Sequence, residues 1–175
     1  MTEIVKWIKN LFARKPIDPK KMSIRASMLN IEKEVGKIPG AVFGDAFPLK
    51  HTFADGCYIR EIFMPKDYVV VSKIHKVTHP YFILKGSVSV LTEDGIVKIT
   101  APYSGITKAG TKRILYTHED TVWTTIHVTK SQDLKQIEKE IIAKNFKEID
   151  GLDYEEFMKQ LKKENTNETL ALQGA

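Results

Sequence analysis

The pattern of hydrophobic positions predicts helices at both ends of the chain and strands between them. Residues 1–15 carry apolar side chains at the spacing of one helical face, and Pro16 ends the segment. A second helix is predicted over 22–35, where apolar residues again recur every three or four positions. We interpret residues 1–45 as a basic N-terminal helical arm.

Short β-rich segments follow one another between residues 46 and 130. Glu93, Asp94 and Gly95 stand between two apolar runs and predict a tight hairpin. A series of short strands without intervening helices is typical of an antiparallel sandwich or barrel. Strands are predicted at 57–63, 68–75, 80–91, 95–100, 105–107, 113–116 and 121–128.

The pattern becomes helical again after residue 130. Ser131 is a predicted N-cap for a helix that continues through Ile142, and Asp153 is a predicted N-cap for another. We therefore place C-terminal helices over 131–164 and a disordered tail over 165–175.

The charge of the chain is concentrated near its N-terminus. The sequence has 27 basic and 22 acidic residues, a formal net charge of +5, and residues 1–25 account for this excess. Charge therefore gives no support for nucleic-acid binding by the β region. The segment 1–15 has two interpretations, a helix packed on its own domain or a second subunit, and an anchor for a membrane or a partner.

Cysteine content and hydropathy limit the cellular setting. Cys57 is the single cysteine, which excludes an internal disulfide framework and a cysteine-based zinc site. The chain has no apolar stretch long enough to cross a membrane and no secretory signal pattern. We expect a cytoplasmic protein that does not enter a membrane.

Three histidines are candidates for a common site. His75 and His79 lie about 13 Å apart on an ideal strand, so they meet only if the chain turns between them. The alternation of Trp123, Thr125 and His127 on one strand face adds a third imidazole. Three imidazoles plus water is an open geometry that suits zinc or iron.

The β region resembles the cupin family of jelly-roll proteins in the spacing of two motifs. Counted back from Gly86, His79 falls on the glutamate of the first family motif and His75 on its second histidine. Lys73 falls on the first histidine and Asp67 on the leading glycine. The resemblance implies a compact jelly-roll barrel of about 70 residues.

The second cupin motif is matched around Gly110. Lys108 stands at the proline of the family motif, Arg113 at its histidine and Pro102 at its leading glycine, while Thr117 replaces its asparagine. The family site usually offers three histidines and a glutamate to iron, manganese, nickel or zinc. Two of those four positions carry a cation in this chain.

A closer similarity is to small, unnamed cupin-like proteins of tailed bacteriophages, over roughly 44–142. This likeness implies the fold without an established activity. It implies a phage protein that acts in the cytoplasm of an infected host or belongs to the virion. The stretches that carry it are 44–56, 58–65, 74–80, 109–113 and 118–127.

The departures from the cupin motifs favour two kinds of site. Two cationic side chains repel a divalent ion, which argues against a four-ligand centre. A weaker metal site then consists of His75, His79 and His127 holding zinc, iron or manganese. The other reading is an electropositive mouth that binds a small anion, a carboxylate, phosphate or sugar phosphate. Its predicted lining is Lys73, His75, His79, Arg113, Tyr58, Arg60 and Tyr116.

A structural alternative needs no ligand at all. In that alternative Arg60, Arg113 and a histidine form a satisfied polar network in which Glu61 or Glu93 neutralises the cations. Three function classes therefore stay open, with catalysis undecided: a metal-dependent cupin-like protein, a metal-free anion-binding module, and a phage structural or host-interaction protein. In the third class the barrel is a scaffold, and a phage or host partner is contacted through the N-terminal helix. For every class we expect a homodimer that associates through the helices or a barrel edge.

Overall fold

The computed structural model describes residues 19–37 and 46–154, together with Glu156 and Lys159. The predicted helix at 1–15 and the predicted tail at 165–175 lie outside these residues, and the proposed domain boundaries stay predictions. The described helices are α1 (Pro19–Val35), α2 (Leu134–Ile141) and α3 (Lys147–Asp150). The described strands are β1 (Leu49–Ala54), β2 (Cys57–Met64), β3 (Val69–Val71), β4 (Ile74–His75), β5 (His79–Lys85), β6 (Ser87–Thr92), β7 (Gly95–Thr100), β8 (Tyr103–Thr107), β9 (Ile114–Thr117), β10 (Thr121–Val128) and β11 (Ile142–Ala143).

Eight strands pair in a nested antiparallel order. Strand β2 pairs with β10, β3 with β9, β5 with β8, and β6 with β7. These pairs form two sheets, with strand orders β1-β2-β10-β5-β8 and β3-β9-β6-β7. Nested pairing across two sheets defines a jelly roll, so the predicted fold class is confirmed. In the described part of the chain the two sheets stay separate and do not join into a closed barrel.

The main core lies between the inner faces of the two sheets. Buried and less buried positions alternate along β5, as expected for a strand with one face in the core. Trp123 and Ile83 of the five-stranded sheet pack with Val88, Val90 and Leu115 of the four-stranded sheet. The hairpin predicted at residues 93–95 connects β6 to β7.

Two predicted strands are each divided in the structure. The segment 80–91 breaks at Gly86, where φ is +93° and the chain passes from one sheet to the other. A Cβ at this position would lie 2.4 Å from the carbonyl oxygen of Asp120, so only glycine fits. The segment 68–75 divides into β3 and the short β4, which pairs with β11 rather than with either large sheet.

The C-terminal helix α2 differs from its prediction at both ends. Its N-cap is Asp133 rather than Ser131, because the Asp133 side chain accepts hydrogen bonds from the backbone N–H groups of residues 135 and 136. It ends before Ile142, which takes an extended conformation and pairs opposite His75. Ile137 of α2 packs on Tyr58, so the helix covers one end of the jelly roll.

Helix α1 is fastened to the β domain through a buried arginine. Arg25 forms ion pairs with Glu93 of the β6–β7 turn and, at 2.7 Å, with Asp150 of α3. Its guanidinium lies 4.6 Å from the ring centroid of Phe146 and donates a hydrogen bond of 3.0 Å to the Tyr154 hydroxyl. The arrangement joins segments from both ends of the chain. None of the helices described is long and apolar enough to cross a membrane.

Candidate functional site

His75 and His79 are brought together by a change of strand. His75 ends β4, His79 begins β5, and the three intervening residues form a bend between the two strands. The ring centroids of the two imidazoles are 4.4 Å apart. A continuous strand would hold these two side chains too far apart for a shared site. The break between β4 and β5 brings them together, as the sequence analysis predicts for a common site.

His127 completes a cluster of three imidazoles. It lies on the inner face of β10 together with Trp123 and Thr125, and all three side chains are buried. Its ring centroid is 4.3 Å from that of His79 and 5.8 Å from that of His75. One nitrogen from each ring lies within 4.8 Å of the others. We call His75, His79 and His127 the histidine cluster.

The histidine cluster contains buried nitrogens without hydrogen-bond partners. They are Nδ1 of His75, Nε2 of His79 and both ring nitrogens of His127. In His79, Nδ1 lies 3.0 Å from the carbonyl oxygen of Val77, which can only accept, so Nδ1 carries the hydrogen. The Nε2 atom of His79 is therefore left with a bare lone pair, as in many metal-binding histidines.

Burial keeps the histidine cluster neutral. Desolvation, together with the neighbouring imidazoles and arginines, lowers the pKa of His75 to about 2. Desolvation, His79 and Arg60 lower the pKa of His127 to about 3, and desolvation likewise lowers the pKa of His79. Neutral imidazoles offer lone pairs to a metal ion without first losing a proton.

Arg113 lies beside the histidine cluster on an aromatic surface. Its guanidinium is 5.2 Å from the ring centroid of Tyr81 and 5.6 Å from that of Trp123, and its Nη2 donates a 2.8 Å hydrogen bond to Thr107 Oγ1. Gly105 makes room for this surface, because a Cβ there would lie 2.8 Å from the Tyr81 ring. Only 7% of Arg113 is exposed.

A cavity of about 270 Å³ adjoins the site, between the sheets and α2. Its polar lining includes His75, Arg113, Arg60 and Tyr58, four residues that the sequence analysis assigned to the site. Tyr58 is buried, and its hydroxyl shares a 2.7 Å hydrogen bond with Nδ1 of His51. Most of the wall is apolar and includes Leu49, Ile62, Met64, Val70, Leu115 and Ile137.

Two predicted site residues occupy other positions. Lys73 lies at the rim of the cavity, exposed to solvent, where its ammonium pairs with Glu138 of α2. Tyr116 projects from the outer face of β9, and its hydroxyl donates a 3.0 Å hydrogen bond to Asp67. The structure thus brings Tyr58, Arg60 and Arg113 together with the histidine cluster, places Lys73 at the rim of the cavity and leaves Tyr116 outside it.

The carboxylates considered as partners for the site arginines lie elsewhere. Glu93 pairs with Arg25, and Glu61 accepts a 3.4 Å hydrogen bond from Thr124 on the outer face of the sheet. The acidic residue on the described cavity wall is Glu138, which pairs with Lys73. A charge-neutral network around Arg60 and Arg113 is therefore not formed by these groups.

Residues of α2 and β8 that the sequence analysis did not assign also shape the site. Ile137 and Glu138 form part of the cavity wall, and Thr107 anchors Arg113. The apolar spacing of α2 predicts a buried face but not which opening it covers. Thr107 faces His79 across the β5–β8 ladder, a pairing that only the sheet register reveals.

The donor set of the histidine cluster fits a transition-metal ion. Neutral imidazoles suit zinc and iron, whereas manganese prefers carboxylate oxygens, and no carboxylate belongs to the metal-ligating group found among the described residues. Arg113 opposes a divalent ion electrostatically, which weakens the site without changing its ligands. The orphaned nitrogens are the observation that supports the fit.

Comparisons with known proteins find similarity in fold only. No family model matches the chain, and no curated protein matches it. A cupin 2 domain-containing protein from Halorhodospira halophila is 13% identical, with a TM-score of 0.43 over 54% of this chain and 71% of its own. A cupin-2 domain protein from Shewanella frigidimarina is 8% identical, with a TM-score of 0.40 over 47% of this chain and 80% of its own.

An acetylacetone dioxygenase from Acinetobacter johnsonii is a further structural neighbour. It is 17% identical, with a TM-score of 0.39 over 46% of this chain and 58% of its own length. These likenesses add nothing to the jelly-roll assignment, which rests on the strand pairing. Function has to be argued from the side chains of the site.

Proposed function

We propose that this protein binds a small anionic molecule in the cavity of its jelly roll, next to a transition-metal ion held by the histidine cluster. The observation that carries the proposal is the set of buried, unpartnered imidazole nitrogens within 4.8 Å of one another. Buried polar atoms are rarely left without a partner, and a metal ion supplies one to several of them at once.

The residues of the histidine cluster and of the cavity wall have different roles in the proposed site. His75 lines the cavity, so a metal on the cluster is reachable from it. The Val77 carbonyl fixes His79 in the tautomer that presents Nε2. A bound zinc or iron ion would act as a Lewis acid on an oxygen of the ligand. The apolar wall excludes water, and Arg113 attracts the anionic group.

Elemental analysis of the purified full chain tests the metal site. We expect one zinc or iron ion per chain in the unaltered protein and a strong loss of metal in His79→Gln and in His127→Gln. His118→Gln is the matched control, because this histidine lies outside the cluster and bonds to Ser89. Circular dichroism of each variant shows whether the fold is retained.

Metal content below about a tenth of an ion per chain, persisting after incubation with zinc and dialysis, would contradict the metal site. Equal metal retention in the cluster variants and in the control would contradict the assignment of ligands. The anion site has its own test below, because Arg113 and Arg60 do not depend on a metal. A phage origin, a structural or host-interaction role and a homodimer stay predictions; light scattering of the purified chain tests the last.

A further inference from the structure

Arg113 is a buried cation without a counter-charge. It is 7% exposed, and its side chain makes one hydrogen bond, to the neutral hydroxyl of Thr107. Within the described ranges no carboxylate lies at ion-pair distance from it. A guanidinium keeps its proton at any ordinary pH, so it cannot escape the cost of burial by becoming neutral. A bound anion that is not part of the chain would compensate the positive charge of Arg113.

The aromatic rings beneath Arg113 compensate this charge only in part. Tyr81 and Trp123 present their faces to the guanidinium at 5.2 and 5.6 Å. The attraction of a cation to a ring face is weaker than that of a buried, hydrogen-bonded carboxylate. Arg113 and Trp123 both line the cavity, so the guanidinium lies at an aromatic part of its wall.

Arg60 adds a second positive charge to the same cavity. Arg60 and Tyr81 both stand opposite Thr125, on either side of β10, so Arg60 belongs to the same row of inner-face residues. No ion-pair partner for Arg60 lies among residues 19–37 and 46–154. The wall's one described carboxylate, Glu138, is already paired with Lys73. Arg60 and Arg113 therefore give the cavity two positive charges that pair with no carboxylate of the described wall.

The remainder of the wall defines the body of the ligand. It consists mainly of aliphatic side chains from both sheets and α2. The hydroxyl of Tyr58 is already engaged with His51, and Ser72 Oγ accepts the backbone N–H of Arg113. Most of the remaining wall is apolar, so a compact carboxylate, which one bidentate arginine satisfies, fits the cavity better than a phosphate with its additional charged oxygens. A volume of about 270 Å³ admits only a small molecule.

We infer that the cavity binds a small organic acid, with its carboxylate on Arg113 and Arg60 and a compact apolar body against the aliphatic wall. The inference rests on the proposed small-molecule site and deepens it by naming the ligand class. It does not depend on a metal, because the two arginines bind the acid whether or not the histidine cluster is loaded.

Calorimetric titration and thermal unfolding of the full chain test the inference. The probes are benzoate and 3-methylbutanoate, each compared with its neutral amide, and inorganic phosphate. Every titration is done in EDTA and again with one equivalent of zinc. We expect at least one acid to bind and to raise the melting temperature in both conditions, with the amides and phosphate having no effect.

Arg113→Met is the decisive variant. Methionine fills a similar volume without charge, so we expect acid binding to weaken by about 10- to 100-fold, as for loss of a charged hydrogen-bonding group. The melting temperature of the ligand-free variant should stay level or rise, because an uncompensated buried charge has been removed. Lys98→Met is the matched control, since it removes an exposed cation from β7.

Three results would overturn the inference: neither acid binding, an amide or phosphate binding as tightly as the acid, or Arg113→Met binding the acid as well as the unaltered chain. Failure of the metal proposal is distinct from these. It shows as absence of zinc binding while acid binding in EDTA persists. Zinc binding without acid binding refutes the organic acid as the ligand class but supports the metal site at the histidine cluster.

Discussion

The imidazole rings of His75 and His79 lie 4.4 Å apart, and their buried environment disfavours a positive charge on either ring. Their folded-state pKa values lie below the ordinary value of about 6.5, as does that of His127. The unfolded chain therefore takes up protons below pH 6.5 that the folded chain does not. This difference makes folding itself sensitive to mild acid.

The first prediction concerns the stability of the metal-free protein in acid. Between pH 6.5 and 5 we expect the free energy of unfolding to fall, by up to about 1.4 kcal/mol per pH unit for each buried imidazole. Urea unfolding in EDTA at several pH values measures this slope. His127→Gln removes one titrating group and should flatten the slope. An unchanged slope in His127→Gln would contradict the prediction.

A second prediction concerns the attachment of α1. Arg25→Met removes the buried guanidinium from Glu93 and Asp150, and we expect a loss of about 3–5 kcal/mol in the free energy of unfolding. Lys37→Met, which breaks an exposed pair with Glu34, should cost less than about 1 kcal/mol. Guanidinium unfolding compares the two. Similar losses in both variants would mean that the Arg25 contacts do not stabilise the fold.

The rim position of Lys73 leads to a third prediction. Because its pair with Glu138 is exposed, Lys73→Met should change the free energy of unfolding by no more than about 1 kcal/mol. Metal content and benzoate affinity should both stay within about twofold of the unaltered chain, since a screened surface charge contributes little. A large loss of benzoate affinity would move Lys73 into the ligand site, as its place in the cupin-like motif implies.

A fourth prediction joins the two proposed ligands. A divalent ion on the histidine cluster and the two cavity arginines repel one another, and a bound carboxylate relieves this repulsion. We expect zinc to bind about 5- to 150-fold more tightly in saturating benzoate, and benzoate to gain by the same factor with zinc bound. Competition with a zinc-sensitive dye measures the first factor and calorimetry the second. Factors of one would show that the two sites are not coupled.

The sequence predicts most accurately those strands that bury one face in the core. Alternating apolar residues predict β2 and β10 almost to the residue, and the same alternation places His127 with Trp123. Strand β1 is not predicted because it is mostly exposed and lacks an apolar run. It is held instead by pairing with β2, which a local pattern does not reveal.

The conformation of motif positions was more predictable than their chemistry. The cupin-like spacing aligns Asp67, Gly86 and Gly110 with family glycines, and all three residues have positive φ values. Asp67, at +66°, adopts this conformation without being glycine. Pro102, which the spacing aligns with a fourth family glycine, does not share this conformation, so the spacing locates positive φ values at three of these four positions.

Strand parity explains why Tyr116 lies outside the site, and a break between two strands explains why Lys73 lies only at its rim. Arg113 and Leu115 point inward at β9, so Tyr116 must point outward, although the sequence analysis placed both Arg113 and Tyr116 at the cavity. Lys73 lies between β3 and β4, and the break between these strands turns it towards α2. That break depends on the pairing of β4 with β11, far along the chain.

The nested strand order has a consequence for synthesis of the protein on the ribosome. The histidine cluster takes two members from the middle of the fold and its third from β10, which cannot pair with β2 until it has left the exit tunnel. Translation must therefore proceed past residue 128 before the three imidazoles can meet. A nascent chain arrested earlier carries only two members of the cluster, His75 and His79, so the cluster is completed when β10 pairs with β2.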